Sequence, residues 1–292
     1  MIDLSSDIPN NIVELARAES IGDYAREYKD DLAKLYEDLN LIFIPFFPLD
    51  FDLPIFQTLV WSQEYKKLGS KTGMDADILV RDENKISIME HHIMMRAFNG
   101  DFKIASYIRS QIAQVNAQIK VAMRALFPKY YSMTFDNITW RFTSTEGEPL
   151  HFDAYVSGAP YADQHKKHRL KFFINLDTEP RRWNTSLTLP EALKFSANKF
   201  HEPIANDLNI VCAATHEFGC LEGAGVHTLA YPTLSCVIGN AEAISHAVLY
   251  RRRMIAGEFM IETRDMLDPK KSTHAQLGSW LDAAGIEIRK PT

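Results

Sequence analysis

The stretch Leu150-His151-Phe152-Asp153-Ala154-Tyr155 places an imidazole and a carboxylate two residues apart in a run that reads as a β-strand. Side chains two apart on a strand share a face, so His151 and Asp153 can offer a nitrogen and an oxygen to one cation. A third ligand has to come from elsewhere. Ile244-Ser245-His246-Ala247-Val248-Leu249-Tyr250 supplies one, because His246 shares a face of this alternating segment with Val248 and Tyr250. Two histidines and one carboxylate that leave other coordination positions open suit non-haem Fe(II) and oxygen chemistry. H-x-D alone is a weak signal, and the bland alternative is a trio of surface or hydrogen-bonded side chains. His201, His216 and His227 compete for the third place. His216-Glu217 lacks the second histidine of H-E-x-x-H, which removes the zinc-protease reading. His201 beside a helix end and His227 in a Gly-rich loop read as solvent-facing or hydrogen-bonded.

Three protein ligands on Fe(II) leave room for a bidentate co-substrate and O2. The usual co-substrate, 2-oxoglutarate, also carries a distal carboxylate that needs a buried cation. Lys171 is the first candidate, since Leu170-Lys171-Phe172-Phe173-Ile174-Asn175 is otherwise largely apolar and a cation there is costly unless paired with an anion. Arg264, at the end of an expected strand from Phe259, is the second, with the two-pronged geometry that favours arginine for carboxylates. Asn175 could hydrogen-bond the co-substrate. Trp140 and Arg141 precede the H-x-D, Tyr155 ends it, and Arg181 and Trp183 follow Pro180. Trp140, Arg141, Arg181 and Trp183 are placed at the expected mouth of the fold, and with Tyr155 they are read as substrate contacts. Two basic clusters, His165-Lys166-Lys167-His168-Arg169 and Arg251-Arg252-Arg253, read as solvated charges or as a local field for an anion.

The elements that must position these groups are mostly short strands. Expected strands run over Met133–Phe142, Leu150–Val156, Leu170–Leu176, Leu208–Ala214, Leu234–Ile238, Ile244–Tyr250 and Phe259–Arg264, separated by Gly-, Pro- and Asn-bearing turns. Many short strands of this kind indicate a sandwich, jelly roll or barrel. One helix is expected within them at Pro190–Asn198. Before them, three- and four-residue spacing predicts one or two helices over residues 11–38 and a long helix over Asp101–Phe127, stopped by Pro128. Leu41–Phe46 reads as an early core strand. Gly69, Lys71 and Gly73 suggest a loop before a strand at Asp77–Arg81, and His91 and His92 read as structural.

The 292 residues are 46% hydrophobic and 24% charged, a folded composition, and the net charge of −6 gives no basic balance of the kind nucleic-acid binding favours. Three scattered cysteines form neither a disulfide framework nor a C-x-x-C pair, which points to a reducing cytoplasm. Met1-Ile2-Asp3-Leu4 begins no signal peptide. Prolines and aspartates break the apolar stretch from Leu39 to Phe56 well short of the ~20 residues a membrane helix needs. Peripheral contact with a membrane surface stays open, and the oligomeric state is not legible.

With these residues in place, the sequence resembles the Fe(II)/2-oxoglutarate-dependent oxygenases of double-stranded β-helix fold and, more distantly, the Kdo (3-deoxy-D-manno-octulosonic acid) hydroxylases. The similarity is carried by Leu150–Tyr155, Leu170–Asn175, Pro180-Arg181-Arg182-Trp183, Ser245–Val248 and Met260-Ile261-Glu262, within the span from Trp140 to Arg264. The resemblance implies His151, Asp153 and His246 as iron ligands and Lys171 as the receiver of 2-oxoglutarate. An insertion would then lie at Tyr250–Gly257. It also implies a mainly β fold, with a double-stranded β-helix (jelly roll, cupin-like) core over 131–292. Helices over 1–130 would brace that core within one structural domain. The implied reaction is hydroxylation of an unactivated C–H bond in a small, polar, carboxylated substrate, with release of succinate and CO2. Asp153 fills the position that a halogenase would leave for chloride. The alternatives are a non-catalytic jelly-roll module binding a small anion or sugar, and a metal-dependent enzyme that needs no 2-oxoglutarate.

Overall fold

The computed structural model describes residues 1–58, 101–142, 144–154 and 167–289. The expectations for Asp77–Arg81, His91, His92, Tyr155, His165 and Lys166 lie outside these. In chain order the strands are β1 (Ile2–Asp3), β2 (Ile12–Glu14), β3 (Leu41–Ile44), β4 (Thr134–Arg141), β5 (Thr145–Glu146), β6 (Lys167–Asn175), β7 (Arg181–Thr188), β8 (His227–Tyr231), β9 (Cys236–Gly239), β10 (Ile244–Arg251) and β11 (Met254–Glu262). Among the described residues they form two sheets, one ordered β1-β8-β7-β10-β5 and the other β2-β3-β9-β6-β11-β4. The fold is therefore mainly β, with helices outside the sheets.

Period-two alternation sorts each strand of the larger sheet into an outer and an inner face. Leu170, Phe172 and Ile174 of β6, with Ile255, Phe259 and Ile261 of β11, point outward into a core shared with the N-terminal helices. These helices are α1 (Ile21–Tyr28), α2 (Leu32–Glu37), α3 (Leu53–Thr58) and α4 (Phe102–Leu126). Helix α4 begins at Asp101, whose carboxylate accepts from the amides of Lys103 and Ile104. It buries Ile108, Ile112, Val115, Ile119 and Met123 along one stripe. Between the sheets a second core joins Phe43 and Val237 to Trp183, Leu229, Tyr231 and Val248. A third, containing Phe152 and Leu187, lies under α5 (Leu189–Phe195), α6 (Leu208–Glu217) and α7 (Thr273–Ala284). Among the described residues no helix is long and apolar enough to cross a membrane.

Several expectations change. Leu208–Ala214 is the helix α6 rather than a strand; Asp207 caps it by accepting from Ile210 N, and short apolar runs do not separate strand from helix by pattern. Ile12–Glu14 is a strand parallel to β3 rather than part of a helix. No insertion interrupts the segment after His246, because β10 ends at Arg251 and β11 starts at Met254. The two connecting arginines are structural. Arg252 grips Asp177 at 2.6 and 2.7 Å and Arg253 reaches it at 3.5 Å.

His168, read as part of a solvated basic cluster, is buried with neither ring nitrogen hydrogen-bonded, its ring edge-on to Tyr36 at 5.2 Å. Burial, reinforced by the neighbouring His274, pushes its pKa down to about 3. The unfolded chain takes up this proton near the ordinary histidine value of ~6.5 and the folded chain does not. Stability is therefore lost as pH falls below that value toward 3. His168→Phe should flatten this acid limb of the Tm-against-pH curve between pH 6.5 and 4.

Candidate metal centre

The H-x-D segment is held in place through backbone hydrogen bonds. His151 and His246 exchange amide bonds, at 3.0 Å from His151 N and 2.9 Å from His246 N, and Asp153 N donates to Ala241 O at 2.8 Å. This narrow bridge brings the two imidazoles to a centroid distance of 4.5 Å. Each Nδ1 lies against a carbonyl, Pro149 O at 2.8 Å for His151 and Ile244 O at 3.2 Å for His246. That contact places the proton on Nδ1 and leaves both Nε2 lone pairs facing inward. Asp153 Oδ1 stands 3.8 Å from each Nε2, and one ligand atom from each residue lies within 4.8 Å of the others. These gaps are too long for hydrogen bonds. Cis ligands ~2.1 Å from a first-row metal lie ~3 Å apart, so the donor set fits one cation once the three side chains close inward on it. Burial lowers the His246 pKa to about 4, against the pull of Asp153, so its imidazole is neutral near pH 7. Burial opposes the charge on Asp153, but Lys171, His246 and His151 together hold its carboxyl well below the usual carboxylate range.

Lys171 lies between two carboxylates, Asp153 Oδ2 at 2.5 Å and Glu258 Oε1 at 2.9 Å. Glu258 also takes Arg169 Nη1 at 2.7 Å, and Arg169 Nε faces Glu242 Oε1 at 3.7 Å. Lys171 and Glu258 are cross-strand partners of β6 and β11, so strand register places them together. Glu258 and Glu242 were not singled out from the sequence, and Arg169 was read within a solvated basic cluster. The signal for Arg169 and Glu258 was charge within otherwise apolar strands, while Glu242 lies in the turn between β9 and β10; Arg169, expected in solvent, is buried. Burial raises the Glu242 pKa to about 7, with Arg169 and Lys171 pulling it back. A carboxyl raised in the folded state binds more protons there than unfolded, so its contribution is complete below ~4.5 and is lost as pH rises through 7. Glu242→Gln should therefore raise Tm at pH 8, by on the order of 3 kcal/mol of stability, and leave it nearly unchanged at pH 5.

Arg181 and Trp183 lie deep between the sheets, not at a mouth. The Arg181 guanidinium sits over Phe173 at 5.0 Å and over Trp183 and Tyr231 at 5.6 Å, with Nη1 2.7 Å from Met254 Sδ. Its Nε is buried without a hydrogen bond, and among the described residues no carboxylate is within ion-pair distance of it. Burial lowers its pKa, and Arg141 adds repulsion while Tyr231 and Glu148 oppose the shift. Trp183 packs edge-on against His246 at 5.4 Å, so one indole separates this cation from His246. Arg141 is half-buried opposite Met254. Trp140 faces the helical layer instead, where its Nε1 donates to Asn116 Oδ1 at 3.0 Å and its ring meets Phe51 and Phe56. Asn175 spends its side chain on the turn after β6, donating to Glu179 O and Tyr231 O and accepting from Asp177 N. Arg264 is exposed on a 3-10 turn, Thr263–Asp265, beyond β11. His227 is on β8 rather than in a loop, held by Ser5 N and Pro9 O, while His201 and His216 are exposed.

No protein-family model matches the chain, and no curated protein sequence does. The fold is shared with the Kdo hydroxylase KdoO, described as a non-heme Fe(II) alphaketoglutarate dependent dioxygenase. The match to its complex with alphaketoglutarate and Fe(III) has a TM-score of 0.64 at 16% identity, covering 97% of this chain and 100% of that one. The complex of KdoO with succinate and Fe(III) matches at the same TM-score and identity, over 97% and 99%.

Proposed function

We propose that the chain is an Fe(II)- and 2-oxoglutarate-dependent oxygenase that hydroxylates a C–H bond of a small, polar, carboxylated molecule. The observation that carries this is the convergence of His151 and Asp153, from one segment bridged to β10, with His246 of β10 on one cation-sized gap. Iron held there would couple O2 activation to oxidative decarboxylation of 2-oxoglutarate, giving succinate, CO2 and the hydroxylated product. The strand order supports the reading, since β4-β11-β6-β9 against β5-β10-β7-β8 is compatible with a double-stranded β-helix. The fold match supports it as well, since KdoO carries these same partners, and the carboxylated sugar in its name is a small polar acid.

The protein's own contribution is positional. His151 and His246 are oriented through Nδ1, and Asp153 is kept ionised. Arg181 is the group assigned to the distal carboxylate of 2-oxoglutarate in place of Lys171, whose charge already faces two carboxylates. An unpaired buried guanidinium beside a second arginine is costly until an anion arrives. Phe173, Trp183 and Tyr231 surround it with rings that keep water out.

The test is anaerobic protein given Fe(II) and then 2-oxoglutarate. The chelate should appear as a weak band near ~500 nm, and labelled 2-oxoglutarate with ascorbate and air should release CO2. Iron binding with neither signal would reject the proposal and favour a metal enzyme of another kind. Saturable binding of an anion or sugar that survives EDTA and His151→Ala would favour a module without chemistry.

A further inference from the structure

We propose that Lys171 is a positioning residue that restricts Asp153 to a single metal-facing oxygen and so sets how many coordination positions stay open. This rests on the reading that His151, Asp153 and His246 hold a metal.

The two oxygens of Asp153 have different surroundings. Oδ1 is 3.8 Å from the Nε2 of both histidines, while Oδ2 is 2.5 Å from Lys171 Nζ. Lys171 cannot easily follow the carboxylate if it turns. Its ammonium is held at 2.9 Å by Glu258, its cross-strand partner, and Glu258 is held at 2.7 Å by the buried Arg169. The clamp is thus built into the register of two central strands. Carboxylates bind cations through one or both oxygens. For Asp153 to use both, it would have to give up a charge-assisted hydrogen bond. The consequence is a matter of coordination number. Three single-atom ligands on a six-coordinate metal leave three positions, enough for a bidentate keto acid and one small diatomic molecule. A chelating Asp153 would leave two, which the keto acid alone fills.

The experiment uses the full chain, anaerobic Fe(II), picolinate as a bidentate ligand with no distal carboxylate, and nitric oxide as the diatomic probe, read by the electron paramagnetic resonance of the iron nitrosyl. Wild type should take up nitric oxide with or without picolinate. Lys171→Met should bind Fe(II) no more weakly than wild type and take up nitric oxide normally without picolinate. With picolinate bound, its nitric oxide affinity should fall by at least ~10-fold, the scale on which outer-shell partners act. Lys171→Arg should restore it in part. If Lys171→Met does not fold, K171M/E258Q keeps the buried charge balanced and carries the same expectation. Unchanged nitric oxide uptake in the picolinate complex overturns the proposal, as does loss of Fe(II) binding from a folded variant. Weakened 2-oxoglutarate binding beside unchanged picolinate and nitric oxide behaviour also overturns it, by assigning Lys171 to the distal carboxylate. A wild type that binds no Fe(II) would instead fail the underlying metal reading, before any variant is compared.

Discussion

Asp153→Asn is expected to lower Fe(II) affinity by more than ~100-fold and to abolish 2-oxoglutarate turnover, since outer-shell partners alone are worth 10–100-fold and this change removes the only anionic group of the candidate triad. The amide is nearly isosteric and can still accept a hydrogen bond from Lys171 through its oxygen. The loss would therefore be one of charge and not of shape. The variant also leaves Lys171 with Glu258 as its remaining acidic partner among the ion pairs described. A charged group left buried with less compensation destabilises, so Tm should fall slightly in metal-free protein. Isothermal titration with Fe(II) under argon, beside a melting curve without metal, separates the two effects. An affinity within a few-fold of wild type would remove Asp153 from the ligand set.

Arg181→Met is expected to act in opposite directions on binding and on stability. Removing the partner of a desolvated carboxylate costs roughly 2–5 kcal/mol, so the KM for 2-oxoglutarate should rise by ~30-fold or more while Fe(II) binding stays close to wild type. The free protein should become more stable. Its buried guanidinium has aromatic faces around it but no carboxylate at ion-pair distance among the described residues. Apolar replacement of buried charge is often neutral or favourable by 1–4 kcal/mol, less the ~1–2 kcal/mol that ring contacts return to the cation. A melting curve and a 2-oxoglutarate titration on the same preparation read both. A variant that loses stability and keeps its KM would place Arg181 in the scaffold and not in the co-substrate pocket.

The candidate triad was legible because each ligand sits in a locally alternating segment, and the two-residue spacing of His151 and Asp153 survives any choice of partner strand. Lys171 was legible as a charge that needed an anion, although which anion was not. Its partners, Asp153 and Glu258, come from other segments, and only strand register brings them together. Trp140 was assigned to a mouth by its neighbour Arg141, yet alternation already put the two on opposite faces; the sequence does not say which face meets the helices. Arg181 was chosen for its charge, and its depth between the sheets followed from pairing that no local pattern encodes. Helix α7 was missed although Ser272 caps its start and Gly285 closes its end in a left-handed conformation. Those signals surround a segment with only weak apolar periodicity.

The ribbon formed by β10 and β11 passes from the smaller sheet to the larger through Arg252 and Arg253, both tied to Asp177. One wall of the candidate metal centre carries His246 and the other carries Glu258, and this corner joins them, as do the connections from β6 to β7 and from β9 to β10. Neither wall can swing away while the corner holds. Amide hydrogen exchange should therefore report one shared opening free energy for β7, β10, β6 and β11, and not separate values for each sheet.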